Sequence, residues 1–334
     1  MKYQKFLTND KLQCLICPRK CILSEGKTGF CHVRKNVNNN LVLDSYGYNT
    51  GLAIDPIEKK PLYHFYPSSK VLSFGTIGCN MGCKFCQNWQ TTKSKISCKN
   101  TNPSSPEEIA GLALEHDCMS VAFTYNEPII FFEYALDTAK YCHEHGIKTV
   151  AVTSGYVNPE PAKEFFSFID AANIDLKGFS KRFYAKNCYA DINPILDTIK
   201  YVVNQTNCHV ELTTMLIDGE NDSYEEIVAE CNWILENLGD TIPLHFSAFF
   251  PNYKMNNIHA TNFTTLVKAY NIARSMGIKY VYTGNLSNIE TSSTYCKHCG
   301  NPIIVRNGYK LLQYNIINDS RCVFCGTQCD GFYN

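Results

Sequence analysis

Val71-Leu72-Ser73-Phe74-Gly75-Thr76-Ile77-Gly78-Cys79-Asn80-Met81-Gly82-Cys83-Lys84-Phe85-Cys86-Gln87-Asn88-Trp89 is the stretch whose reading decides the fold. Its first six residues, Val71 to Thr76, are an apolar strand segment. The loop that follows presents Cys79, Cys83 and Cys86 within eight residues, and Gly78 and Gly82 permit the sharp turns that aim three thiols at one centre. A lone pair of cysteines would suit a redox couple. Three at Cys-x3-Cys-x2-Cys, with no histidine or fourth cysteine close by, suit an iron-sulfur cluster in which three irons are held by thiolates and the fourth is open. Zinc also leaves a position open in catalytic sites, but there it takes a mixed ligand set. An all-thiolate set favours a soft metal or a cluster.

Working outward, strand and helix patterns alternate from Val71 to about Thr283. Ser105 and Glu108 form a capping box around Pro106, which opens a helix. Val121 to Thr124 is a short strand, and an apolar helix follows Pro128 and ends before Gly146. Strands over 149–153, 172–176, 210–214 and 244–249 alternate with helices over 159–168, 193–203 and from Ser223 to Gly239. A last helix bearing Phe263, Leu266, Val267, Tyr270 and Ala273 precedes a strand over 279–283. Short strands regularly separated by amphipathic helices predict a parallel sheet. Without a dinucleotide-binding glycine motif, the fold class expected is α/β: an incomplete parallel (β/α)6-type TIM barrel with small cysteine-rich metal-binding modules at both ends. The expected domains are 1–66, a metal-binding region and connector; 67–285, the barrel; and 286–334, a zinc-ribbon-like module.

In such a barrel the active site assembles at the carboxyl ends of the strands. The cysteine loop follows the first strand, Glu127 the second and Ser154 with Gly155 the third. Asp175 and Lys177 terminate the fourth, Thr213 and Thr214 the fifth, and His245 with Ser247 the sixth. Polar residues are common at half-exposed strand ends, so packing competes with function at each position.

The run Cys79 to Cys86 resembles the signature of the radical S-adenosylmethionine enzymes. The chain as a whole is similar to their pyruvate formate-lyase activating enzyme-related branch, in particular the radical enzyme encoded beside AMMECR1 and Memo proteins. The likeness also runs through Cys14, Cys17, Pro18 and Cys21, through Thr124-Tyr125-Asn126-Glu127-Pro128, through Asp175-Leu176-Lys177, and through His245-Phe246-Ser247 and Pro251. It implies that S-adenosylmethionine chelates the open iron of a [4Fe-4S] cluster held by Cys79, Cys83 and Cys86. One electron then cleaves it to methionine and a 5′-deoxyadenosyl radical, which takes hydrogen from an unidentified small-molecule or protein substrate. Glu127 would accept from the methionine ammonium, Asp175 and Lys177 would hold the ribose and carboxylate, and Phe85 would face the adenine or simply pack the loop. Ser154 joins these as a cofactor-binding candidate, and Lys177, His245, Thr213 and His64 are the catalytic candidates. His64 enters through the resemblance, which sets Lys59, Lys60, Pro61 and His64 near the active-site rim. Read alone, that segment is a surface loop. An electron donor such as reduced ferredoxin or flavodoxin is expected, with AMMECR1-like and Memo-like partners implied.

Cys14, Cys17, Cys21 and Cys31 lie in a segment rich in Lys, Gly and Asn, held together by ligands and turns more than by an apolar core. Structural zinc and an auxiliary iron-sulfur cluster both suit four thiolates; a small closed knuckle with no redox role favours zinc. Near the other end, Cys296-x2-Cys299-Gly300 and Cys322-x2-Cys325-Gly326 look like a zinc ribbon. Cys329 is an extra thiol there, either an alternative ligand or part of a cluster.

With 31 basic and 31 acidic residues among 334, no global field draws the chain to nucleic acid or an anionic membrane. No apolar run suggests a signal peptide or a span. Eighteen cysteines, many of them in metal-ligand spacings, fit a cytoplasmic, reducing setting better than disulfides. Two alternatives remain beside the unassigned radical reaction: activation of a glycyl-radical enzyme and, because zinc ribbons often bind nucleic acid, modification of nucleic acid. A metal-binding scaffold would leave the three-cysteine loop one ligand short.

Overall fold

The computed structural model describes residues 2–7, 11–93 and 103–333. The chain begins with strands β1 (Gln4–Phe6), β2 (Leu12–Cys14) and β3 (Ile22–Leu23), which form a small sheet, and a hairpin of β4 (Arg34–Val37) and β5 (Asn40–Leu43). The central sheet has eight strands: β6 (Leu52–Pro56), β7 (Lys70–Phe74), β8 (Ser120–Phe123), β9 (Lys148–Thr153), β10 (Ala171–Asp175), β11 (His209–Leu216), β12 (Leu244–Ala248) and β13 (Val281–Gly284). They lie side by side in sequence order. The ladders β7 to β8, β8 to β9, β11 to β12 and β12 to β13 are parallel. This is a mostly parallel sheet with helical crossovers, consistent with a partial (β/α) barrel.

The local reasons are those the sequence carries. The helix Pro106–Glu115 starts with the complete capping box, Ser105 and Glu108 each accepting from the other's backbone N–H. Ser223 caps the helix Tyr224–Asn237, but Glu226 does not complete a box; its carboxylate accepts from Phe179 N at 2.7 Å. That helix also buries Glu230, whose carboxylate meets the Thr214 hydroxyl at 2.5 Å. Cys142 and Cys231 sit fully buried within helices, whereas Cys118 lies beyond the helix Pro106–Glu115, before β8.

Two expectations change. The 37–66 region is more than a connector, because it supplies β6, an edge strand. Pro56 is its last residue, a place where the missing N–H costs no ladder bond. Nor does the N-terminal segment stand as a ligand-tethered module. It buries Leu12, Ile16, Leu23, Val33, Leu41 and Leu43, and Asn158 ties it down by donating to the carbonyls of Leu15 and Cys17. Arg34, 2% exposed, donates to Ile130 O at 2.9 Å and to Glu133 at 2.8 Å.

The chain forms two compact units, each drawn from separated stretches: Met1–Asp55, Lys70–Ala172 and Asn187–Cys208 in one, Pro56–Ser69, Asn173–Lys186 and His209–Asn334 in the other. The second includes a small sheet of β14 (Thr294–Tyr295), β15 (Pro302–Asn307) and β16 (Lys310–Tyr314), and a ribbon of β17 (Ile316–Ile317) and β18 (Arg321–Cys322). Among the described residues no helix is long and apolar enough to cross a membrane.

Candidate active site and metal centres

In the first unit the cysteine loop leaves β7 through Gly75 and is latched by Asn126. The Asn126 amide accepts from Thr76 N at 3.1 Å and donates to the Gly78 carbonyl at 3.1 Å. Gly75 must be glycine because a Cβ there would stand 2.2 Å from the Thr124 carbonyl. Gly82 packs against Tyr189, and its N–H donates to Cys188 O at 2.8 Å. Gly78, at φ +84°, would place a Cβ 2.1 Å from the Cys31 carbonyl, so the N-terminal segment lies directly on the loop. Cys79 Sγ accepts from Met81 N at 3.4 Å, and Cys86 Sγ lies 3.2 Å from the Thr92 hydroxyl. Burial pushes the Cys79 thiol up to about 12, with Lys93 opposing. The three thiols do not converge to single-ion spacing: among the described residues no group of ligands containing them lies within 4.8 Å. Three thiolates at Cys-x3-Cys-x2-Cys suit a cluster with one open iron. Phe85 is buried at the heart of this loop.

Glu127 is 3% exposed. Its carboxylate accepts from Thr153 Oγ1 at 2.5 Å, Ser154 Oγ at 2.5 Å, Ser154 N at 2.8 Å and Ile129 N at 3.3 Å. Burial raises its pKa while those hydrogen bonds oppose the shift. Four donors use the lone pairs a carboxylate has. Glu127 and Ser154 are thus brought together, but with each other as partners.

In the second unit Lys177 Nζ meets Asp175 Oδ2 at 2.7 Å, and the pair is partly exposed. Asn221, which the sequence did not single out, donates to Lys177 O at 2.9 Å and fixes its backbone. Thr213 lies in the middle of β11 rather than at its end, since the strand continues to Leu216; its hydroxyl accepts from Asn173 at 2.9 Å. His245 pairs with Thr213 in register and is the second residue of β12, away from the carboxyl end.

The centre of this second cluster is Glu211, a buried residue passed over because it looked like one polar member of a strand. It takes His245 Nε2 at 2.6 Å, His209 Nε2 at 3.1 Å and the His64 N–H at 2.7 Å. These bonds hold its carboxyl well below the usual range despite burial. His64 is fully buried rather than on a surface loop. Its Nδ1 faces the Asp330 carbonyl at 2.6 Å, which can only accept, so Nδ1 carries the proton and Nε2 accepts from the Tyr282 hydroxyl at 2.6 Å. Both ring nitrogens are thereby committed to protein partners. Nearby Arg306 is also fully buried, donating to Tyr63 O and to Thr294 Oγ1, each at 2.7 Å.

The C-terminal cysteines form two matching knuckles. Gly300 N–H donates to Cys296 O at 3.0 Å and Gly326 N–H to Cys322 O at 2.8 Å, with φ of +73° and +72° at the two glycines. Cys296 Sγ lies 3.7 Å from Cys325 Sγ, and Cys299 Sγ lies 3.8 Å from Cys322 Sγ. All four sulfurs fall within 4.8 Å of one another, able to hold one metal ion. Hydrogen bonds from Thr327 bring the Cys325 thiol down to about 6. Cys329 is excluded from this set; it is buried in the module core with Ile303, Ile304 and Ile316.

Residues 74–231 match the model of the Radical SAM superfamily. The chain is 39% identical over 331 residues to an uncharacterized protein of Methanocaldococcus jannaschii, covering 99% of this chain and 98% of that one. It is 32% identical over 108 residues to the 4-hydroxyphenylacetate decarboxylase activating enzyme of Clostridioides difficile, and so spans only 34% of that relative and 32% of itself. In fold it is similar to a radical SAM methyltransferase from Sphaerobacter thermophilus, with a TM-score of 0.50 at 17% identity, covering 66% of this chain and 68% of that chain.

Proposed function

We propose that this chain, which belongs to the radical SAM superfamily, is an activase that places a radical on a glycine of a partner enzyme. The observation that carries the partner class is the 108-residue likeness to the 4-hydroxyphenylacetate decarboxylase activating enzyme. It gives this reading more support than an unassigned small-molecule donor has. When bound, the cluster and S-adenosylmethionine supply one-electron cleavage of a carbon-sulfur bond and a 5′-deoxyadenosyl radical that takes hydrogen from the partner. The chain's own residues hold and orient. Cys79, Cys83 and Cys86 would ligate three irons, and the Asn126 latch fixes the loop that carries them. Asp175 and Lys177 offer paired charges that match an amino-acid zwitterion. Glu127, whose lone pairs are taken, positions the Thr153 to Ser154 strand end.

A low-potential electron donor of the ferredoxin or flavodoxin class would serve a cytoplasmic enzyme. The C-terminal four-cysteine site would hold zinc, because its sulfur pairs at 3.7 and 3.8 Å have the spacing of a tetrahedron with metal-sulfur bonds of about 2.3 Å. Nucleic-acid modification loses a basic contact, since Arg306 is buried among protein partners.

The test is anaerobic reconstitution, reduction with dithionite, and incubation with S-adenosylmethionine and a glycyl-radical decarboxylase subunit. The expected result is 5′-deoxyadenosine together with a protein-based doublet in the electron paramagnetic resonance spectrum, both lost in Cys83→Ala. Cleavage without a protein radical would return the reaction to an unassigned donor.

A further inference from the structure

The chain contains two four-cysteine sites, and they are built differently. At the C-terminal site the sulfurs close on one another at 3.7 and 3.8 Å, leaving room for a single ion. Cys14, Cys17, Cys21 and Cys31 do not: among the described residues they are not part of any ligand group lying within 4.8 Å. They line one common pocket that opens to solvent. A structural zinc ion would instead draw four thiolates, bonded at about 2.3 Å, onto itself. Thiolates bonded to the separate irons of a cluster stand apart around an inorganic core.

The rest of the lining suits a cluster as well. Ile16, Ile129 and Ile130 give the pocket an apolar wall, and burial of that kind tunes such a centre. Arg19 and Arg34 supply positive charge where four thiolates would gather negative charge. Arg19 stacks 3.5 Å from the Phe30 ring centroid and donates to the carbonyls of Asn80 and Tyr189. Among the described residues no carboxylate forms an ion pair with it.

We infer that these four cysteines hold a second iron-sulfur cluster, the alternative to structural zinc that their spacing left open. The pocket shares a wall with the three-cysteine loop. Asn80, the residue after Cys79, lines it, and the Cys31 carbonyl rests on Gly78. The two clusters are therefore neighbours, separated by the Gly78 to Asn80 segment.

Cys79→Ala, Cys83→Ala and Cys86→Ala combined remove the loop thiols and isolate the N-terminal site. After anaerobic reconstitution this variant should keep iron and acid-labile sulfide in equal amounts, about two to four of each per chain. Its reduced spectrum should not respond to S-adenosylmethionine, and adding Cys17→Ala and Cys21→Ala should abolish the iron. Should the triple variant not fold, wild type decides: reduced protein should contain iron beyond the approximately four of one cluster and show two magnetically interacting centres. Two zinc ions per chain with no iron in the triple variant, or neither metal at the N-terminal thiols, would overturn the assignment. So would a wild-type iron content that one cluster accounts for.

Discussion

Glu127 carries four hydrogen bonds from protein donors, two of them backbone N–H groups. Glu127→Gln turns one acceptor oxygen into a donor facing a donor. The expected cost is about 1–3 kcal/mol of folding stability, measured by denaturant unfolding of cluster-free protein. An unchanged unfolding midpoint with weakened S-adenosylmethionine binding would instead make Glu127 a ligand-contacting residue. The charged pair Asp175 and Lys177 was legible as residues because two opposite charges close an apolar strand. The burial of His64 was not legible, since its ring partners Tyr282, Asp330 and Tyr333 lie 218 to 269 positions further along the chain. Glu211 was hidden for a related reason: two of its partners are histidines on its own and the neighbouring strand, and a third is the backbone of His64.

At the scale of elements, caps and periodicity carried most of the sheet. The capping box at Ser105, the alternation of short apolar runs with helices and the glycines that end them are local signals, and local physics sets them. The edge strand β6 was missed because Pro56 and the charges after it read as a loop, which is what a strand with one free edge tolerates. The two C-terminal knuckles were legible down to their glycines, since a repeat of Cys-x2-Cys-Gly specifies its own turn geometry. Cys329 was ambiguous because spacing cannot distinguish a ligand from a core residue. Chelation of the C-terminal metal should release one zinc per chain, loosen residues 294–333 in hydrogen exchange, and leave strands β7 to β9 protected. Cys322→Ala, at a fully buried ligand, should reproduce that pattern without chelator.

For the whole molecule, acid sensitivity follows from the buried His64. Unfolded histidine takes up a proton near 6.5, whereas burial lowers folded His64 to about 4, so protons favour the unfolded chain between those values. Its contribution is complete above 6.5 and is lost as pH falls toward 4. Glu211, depressed in the folded chain, adds stability that persists until the solution drops below the usual carboxylate range. Unfolding midpoints of metal-free protein at pH 7.5 and 5 should therefore differ more for wild type than for His64→Gln, which keeps an acceptor and a donor but no proton to gain. The first compact unit runs from Met1 to Cys208 with two interruptions, and the carbonyl of Cys31 finds Gly78 only within it. During translation, then, Cys14 leaves the ribosome long before residue 208 is made. At 5–20 residues per second the delay is about 10 to 40 s. Over that interval the thiols from Cys14 to Cys86 emerge in turn, before the unit that encloses them is complete. A metal captured at the N-terminal thiols would then reflect the supply at the moment of synthesis, and zinc found there after aerobic culture would be a record of that competition.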